Sequence, residues 1–132
     1  MENIAARIET EVGSWEGVTT HAHRFGGVEF RLGRSEIGHL HGERWADLPF
    51  HRGIRDMLVE TGRAQPHHVL PHTGWVSKQI RGDEDVDEVI ELFRLGYERA
   101  RVAASVRASR EQLGEARGAD VPARDDHADP PA

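Results

Sequence analysis

The segment Ser35-Glu36-Ile37-Gly38-His39-Leu40-His41-Gly42 sets two imidazoles two residues apart in a run that reads as a β-strand. On a strand, residues i and i+2 face the same side, so His39 and His41 project together, with Ile37 beside them. Two imidazoles on one sheet face supply half of a metal site, or a general base with its orienting partner. A histidine pair on a solvated sheet face is the plain alternative, and spacing alone leaves it open. His21 and His23 repeat the spacing in an earlier run and read as solvent-side residues; whether they share the face of His39 depends on strand register. A second group lies in Pro66-His67-His68-Val69-Leu70-Pro71-His72-Thr73-Gly74-Trp75. This is a loop feeding a strand, the usual position for a site on a rigid scaffold, and its two prolines stiffen it. Trp75, at the start of that strand, reads first as core.

The candidate chemistry is thus carried by His39, His41, His67, His68 and His72, with Glu36 and Glu43 nearby. A cupin-type metal site sets a glutamate several residues after its paired histidines; Glu43 follows His41 by only two and fits that spacing poorly, so a mononuclear metal site stays a lesser alternative. The sequence contains no G-x-S-x-G elbow, no H-E-x-x-H pair and no phosphate-binding glycine loop. Asp83–Asp87 reads as a helix start favoured by the macrodipole rather than a calcium loop.

The composition narrows the field further. The 132 residues include nine histidines and no cysteine, which excludes disulfide scaffolds, zinc ribbons and cysteine nucleophiles. With 23 acidic against 17 basic residues the net charge is −6, the opposite of a phosphate-neutralising surface, so no nucleic-acid partner is expected. No apolar run approaches the ~18–20 residues of a membrane span, and Met1–Thr10 lacks a signal-peptide core, so a cytoplasmic protein without a membrane partner is expected.

The elements that must position these side chains follow from apolar periodicity. Ile4, Ala5, Ile8 and Val12 predict a helix over Glu2–Val12, stopped by Gly13. Three alternating runs, Val18–Arg24, Val28–Leu32 and Glu36–His41, separated by glycine-bearing turns, predict an antiparallel meander. Ala46–Pro49 reads as a short edge strand, where proline is tolerated. His51–Thr61 has a helical apolar face (Ile54, Met57, Leu58) and Gly62 at its C′ position. Gln65–Thr73 reads as loop and Gly74–Ile80 as strand. Asp83 then opens a long helix along Val86, Val89, Ile90, Phe93, Tyr97, Ala100 and Ala104, expected to run to about Arg107. The fold class is therefore α+β: an antiparallel sheet of about four to five strands covered by about three helices. Residues 1–107 form the single domain, and 108–132 the helix end and a disordered acidic tail. Gly114–Ala132, which contains His127, is too polar and proline-rich to offset its chain entropy.

From Phe30 to Arg101, just over half of the chain, the sequence resembles the luciferase-domain family, small proteins related to the luciferase of bioluminescent fungi. The resemblance rests on the ordered set Glu36-Ile37-Gly38-His39-Leu40-His41, Ala46-Asp47-Leu48-Pro49-Phe50, His67-His68-Val69-Leu70-Pro71, Gly74-Trp75-Val76-Ser77 and Leu92-Phe93-Arg94-Leu95-Gly96-Tyr97-Glu98. It implies an oxidoreductase-like monooxygenation without a cofactor, since the fungal enzymes oxidise a hydroxypyrone luciferin with dioxygen and no metal or flavin. In such chemistry a base deprotonates an enol or phenol, the electron-rich anion reduces dioxygen, and hydrogen-bonding groups stabilise the resulting peroxide. By the resemblance His39 and His41 are base and peroxide stabiliser, His68 is a third polar group, and Trp75 is a stacking wall for a flat substrate. Glu36, His67 and His72 complete the substrate-binding set, and no metal ligand is implied. Light emission itself is not expected; a small aromatic or enolic ligand is. The alternatives are a noncatalytic ligand-binding or protein-interaction module and, third, a histidine-ligated metal protein.

Overall fold

The computed structural model describes residues 3–23 and 27–117. The elements run α1 (Ile4–Gly13), β1 (Val18–His23), β2 (Gly27–Leu32), β3 (Ser35–His41), β4 (Trp45–Pro49), α2 (Arg52–Glu60), β5 (Gln65–Pro66), β6 (Trp75–Gln79) and α3 (Asp83–Arg117). The strands form one antiparallel sheet in the order β1-β2-β3-β4-β6-β5. The α+β expectation holds with six strands rather than four to five. The added strand is β5, two residues of the expected loop that pair with β6 through Gln65–Ser77 and Pro66–Val76.

Apolar side chains from all three helices meet one face of the sheet. Ile8 and Val12 of α1, Leu58 of α2, and Val86, Val89, Leu92, Phe93 and Tyr97 of α3 share a core with Phe30, Ile37, Leu40, Ala46, Leu48, Val76 and Ile80 of the strands. Phe30 and Phe93 meet edge to face at 5.1 Å. The helix starts are fixed locally: the Asn3 side chain accepts from the Ala6 N–H at 2.6 Å, and His51 caps α2 by accepting from the Gly53 N–H.

Two expectations are corrected. β4 is not an edge strand; it lies between β3 and β6, and Pro49 is tolerated because it is the last residue of the strand. Helix α3 does not stop near Arg107 but continues to Arg117, so Gly114–Arg117 is helical; His127 lies outside the described residues. Its buried stripe nevertheless ends at Tyr97, whose hydroxyl donates to the Glu16 carbonyl at 2.7 Å. No helix among the described residues is long and apolar enough to cross a membrane.

Candidate functional site

A β-bulge decides which side chains of β3 meet. Phe30 of β2 lies opposite Gly38, yet Arg31 lies opposite Glu36, so Ile37 is one residue extra on β3. The bulge reverses the alternation at that point. Upstream of it Glu36, and downstream His39 and His41, face away from the helices, whereas Ile37 and Leu40 face the core. Ile37 is therefore not beside the histidines as regular alternation predicts; it is 2% exposed, and the space over Gly96 is closed by its side chain. Gly38 permits the arrangement. Its φ is +156°, and a Cβ there would lie 2.8 Å from both the Asp47 carbonyl oxygen and Phe93 Cε1.

Register then places polar residues in one row across the sheet. His21 pairs with Glu29, Glu29 with His39, His39 with Asp47, Asp47 with Ser77, and Ser77 with Gln65. Directly opposed residues share a face. His21 thus lies on the face of His39, two strands away and exposed, where its Nε2 meets Thr19 Oγ1 at 2.8 Å.

At the centre of the row, imidazole nitrogens converge on Oδ2 of Asp47, a residue with no exposed surface. His41 Nε2 is 2.7 Å from it, His39 Nε2 3.4 Å and His67 Nε2 3.5 Å, while the His39 and His41 Nε2 atoms are 3.1 Å apart. The other carboxylate oxygen, Oδ1, accepts from Ser77 Oγ at 2.6 Å. On its far side, His39 Nδ1 meets Glu36 Oε2 at 2.6 Å. His67 reaches the cluster from the loop after β5, and its Nδ1 accepts the backbone N–H groups of Val69 and Leu70, each at 3.1 Å.

The protonation states follow from these contacts. Burial disfavours the charged form of His39, but the hydrogen bonds and charges of Asp47 and Glu36 outweigh it and raise the imidazole to about 9. Burial likewise favours the neutral form of Asp47; hydrogen bonds from His39 and Ser77, with the charges of His67 and His39, carry it down to about 2. His67 is shifted down, first by burial, which the charge of Asp47 only partly offsets. A neutral ring whose Nδ1 accepts carries its proton on Nε2, directed here at Asp47.

Aromatic rings wall the cluster. Trp75, 5% exposed, lies 5.6 Å from the His39 ring and 5.9 Å from His67, so it packs the histidines from within. Trp45 plays the outer part, at 6.0 Å from His41 and 5.3 Å from His68, and its buried indole N–H has no acceptor among the described residues. His68 stacks on His67 at 4.5 Å and is exposed, as the His41 side chain is to 28%.

Of the residues singled out from sequence, Glu36, His39, His41, His67, His68 and Trp75 come together. His72 does not: it is exposed on the loop beside α2, where its carbonyl accepts from Arg52. Glu43 is also elsewhere, accepting from the Ile4 N–H. Two open surface depressions lie away from the cluster, one at α1 and Thr20, the other between Arg52, Arg55 and His72. Asp47, Ser77 and Trp45 were given no role by sequence reasoning. An acid flanked by Ala46 and Leu48 in a strand was the available signal, because alternation puts it opposite the apolar pair.

Residues 34–96 match the family model described as Luciferase domain, a span that contains every member of the cluster. No curated protein and no solved structure matches the chain.

Proposed function

Since residues 34–96 assign this chain to the luciferase-domain family, we propose that it is an oxygenase-like protein that takes a small aromatic or enolic molecule at the histidine cluster. The convergence of His39, His41 and His67 on the buried Asp47 carboxylate carries the reading, since structural needs alone rarely gather so many titratable groups around one oxygen. His41 and His68 are the solvent-reachable imidazoles and exchange protons with the substrate. Asp47 holds the His41 ring by its Nε2, the orienting task a carboxylate performs for a catalytic histidine. His39, held charged between Glu36 and Asp47, stabilises the enolate and the reduced oxygen species formed from it. The Trp45 indole N–H, costly to leave buried and unpaired, supplies a donor for a ligand oxygen.

The test is oxygen uptake in the presence of a panel of hydroxypyrones, catechols and other acidic enols. The wild-type protein is expected to consume dioxygen with at least one of them, and His41→Ala and His68→Ala to lose that activity while keeping the melting temperature. Tight binding of a panel member that is recovered unchanged, with no oxygen consumed, would replace this reading by a noncatalytic ligand-binding module.

A further inference from the structure

We propose that His39 Nε2, His41 Nε2 and Asp47 Oδ2 form a binding site for one divalent first-row transition-metal ion. The proposal rests on the reading above and names what the same cluster binds, and it departs from the metal-free chemistry that the family resemblance implies: an ion displaces the Nε2 protons of His39 and His41, and its charge takes the place of the His39 imidazolium.

The three donor atoms are separated by 2.7, 3.1 and 3.4 Å. Ligands bound at about 2.0–2.2 Å to a common ion lie roughly 2.8–3.5 Å from one another, so the atoms already stand near the spacing of ligands on one ion. His39, Asp47 and the ring of His41 are held by three-stranded pairing of β2, β3 and β4 rather than by a loop, which fixes the donors before an ion arrives.

The atoms behind the donors fit the same purpose. A metal-bound imidazole commonly donates its remote N–H to a carboxylate, which fixes the tautomer and raises the basicity of the ligating nitrogen. Glu36 stands in that relation to His39 Nδ1, and Ser77 in the corresponding relation to the non-ligating oxygen of Asp47. Glu36 and Asp47 together supply two negative charges at a site that is largely out of water, enough to offset a dication.

A competing set, Asp47 with His67 and His68, has donor atoms within 4.8 Å of one another. His67 does not suit it. Its Nδ1 faces two backbone N–H donors, so the ring has its proton on Nε2 and no lone pair there for an ion. His67 instead serves as a hydrogen-bond donor to the ligating carboxylate. The remaining set of two imidazoles and one carboxylate suits iron(II), cobalt(II) or zinc rather than calcium or magnesium, and it leaves coordination positions on the side of His41, Trp45 and His68 for a substrate oxygen.

The decisive experiment uses the full chain without a histidine tag, stripped with chelator and titrated calorimetrically with Zn²⁺ and, in parallel, with Co²⁺ followed by its visible absorption. One ion per chain is expected, with Co²⁺ bands of a nitrogen- and oxygen-ligated site. His41→Ala, at the solvent edge of the cluster, is expected to abolish binding while keeping the far-ultraviolet circular dichroism. Glu36→Gln, which leaves all three ligands in place, is expected to weaken binding about 10–100-fold. His21→Ala and His72→Ala, on exposed histidines outside the cluster, are expected to bind as the wild type does. A flat wild-type titration overturns the proposal, as does wild-type binding by His41→Ala or loss of binding in His68→Ala alone. Because no substrate is used, this result separates from the oxygenase reading: oxygen uptake by chelator-treated protein with a flat titration rejects the ion and leaves the oxygenase standing, whereas stoichiometric binding without turnover supports the ion alone.

Discussion

His39 Nδ1 lies 2.6 Å from Glu36 Oε2, although the two residues are three apart on one strand and a regular strand would hold them on opposite faces. The extra residue at Ile37 brings them to the same side. A single irregularity in hydrogen-bond register thus creates a carboxylate–imidazole pair and sends Ile37 and Leu40 to the core.

The first prediction concerns that pair. Glu36→Gln keeps the shape of the side chain but removes its charge, so the protonated form of His39 loses one of its two carboxylate partners. The His39 titration midpoint, near 9 in the wild type, should fall by roughly one to three pH units in metal-free protein. Nitrogen-15 chemical shifts of the imidazole followed against pH measure it; an unchanged midpoint would show that Asp47 alone holds the proton.

Stability against pH follows from the same groups with chelator present. His39 is raised from 6.5 to about 9, so its contribution is complete below 6.5 and is lost as pH climbs through 9. Asp47 is lowered from 3.8 to about 2, so its contribution is complete above 3.8 and disappears as pH falls through 2. His67 is lowered from 6.5, and its contribution is complete above 6.5 and declines as the pH drops below it. Thermal unfolding should therefore show maximal stability near pH 6.5, falling toward pH 9 and again under acid. A melting temperature that rises steadily from pH 7 to 9 contradicts the assignment of His39 as the raised group.

Gly38→Ala tests the bulge by adding one methyl group. The new Cβ would press on the Asp47 carbonyl and on the Phe93 ring, neither of which yields without moving β4 or α3. Overpacking of this kind costs about 1–3 kcal/mol, measurable as a lowered denaturation midpoint at unchanged slope. Gly33→Ala, with no atom within 4 Å of its Cβ position, separates the two causes, since only its φ of +62° is at stake.

His67→Ala should act on the loop more than on the fold. The ring accepts two backbone N–H groups, from Val69 and Leu70, and removing that acceptor frees the turn between β5 and β6. Faster cleavage within residues 67–74 under limited proteolysis, with the six-stranded sheet intact by circular dichroism, is the expected outcome. Unaltered cleavage would mean that Thr73 and the Leu70 carbonyl, which bond to each other at 2.8 Å, hold the loop unaided.

Much of this fold was legible in the chain because its signals are local. Apolar spacing located the helices containing Ile8, Leu58 and Phe93, and alternation with glycine turns located the meander. The HxH strand and the His67-His68 loop were visible for the same reason. What escaped depends on contacts distant in sequence. Pro49 suggested an edge, and only the return of β6 makes β4 internal. The bulge at Ile37 has no signature apart from Gly38, so the partnership of Glu36 with His39 was hidden. Asp47 took its role from three imidazoles that arrive from β3 and from the loop after β5, and no single window of sequence contains them all. The length of α3 beyond Arg107 is carried by residues that touch no core, where helical propensity rather than apolar period decides.

The tryptophans have an optical consequence. Trp75 lies within 6 Å of the rings of His39 and His67, and Trp45 abuts His41 and His68, whereas Trp15 packs on Tyr97 at the helical face. Protonated imidazoles quench a neighbouring indole, so the emission of Trp45 and Trp75 should follow the charge of the cluster while Trp15 adds a background remote from it, and total tryptophan fluorescence against pH reads the site without any label.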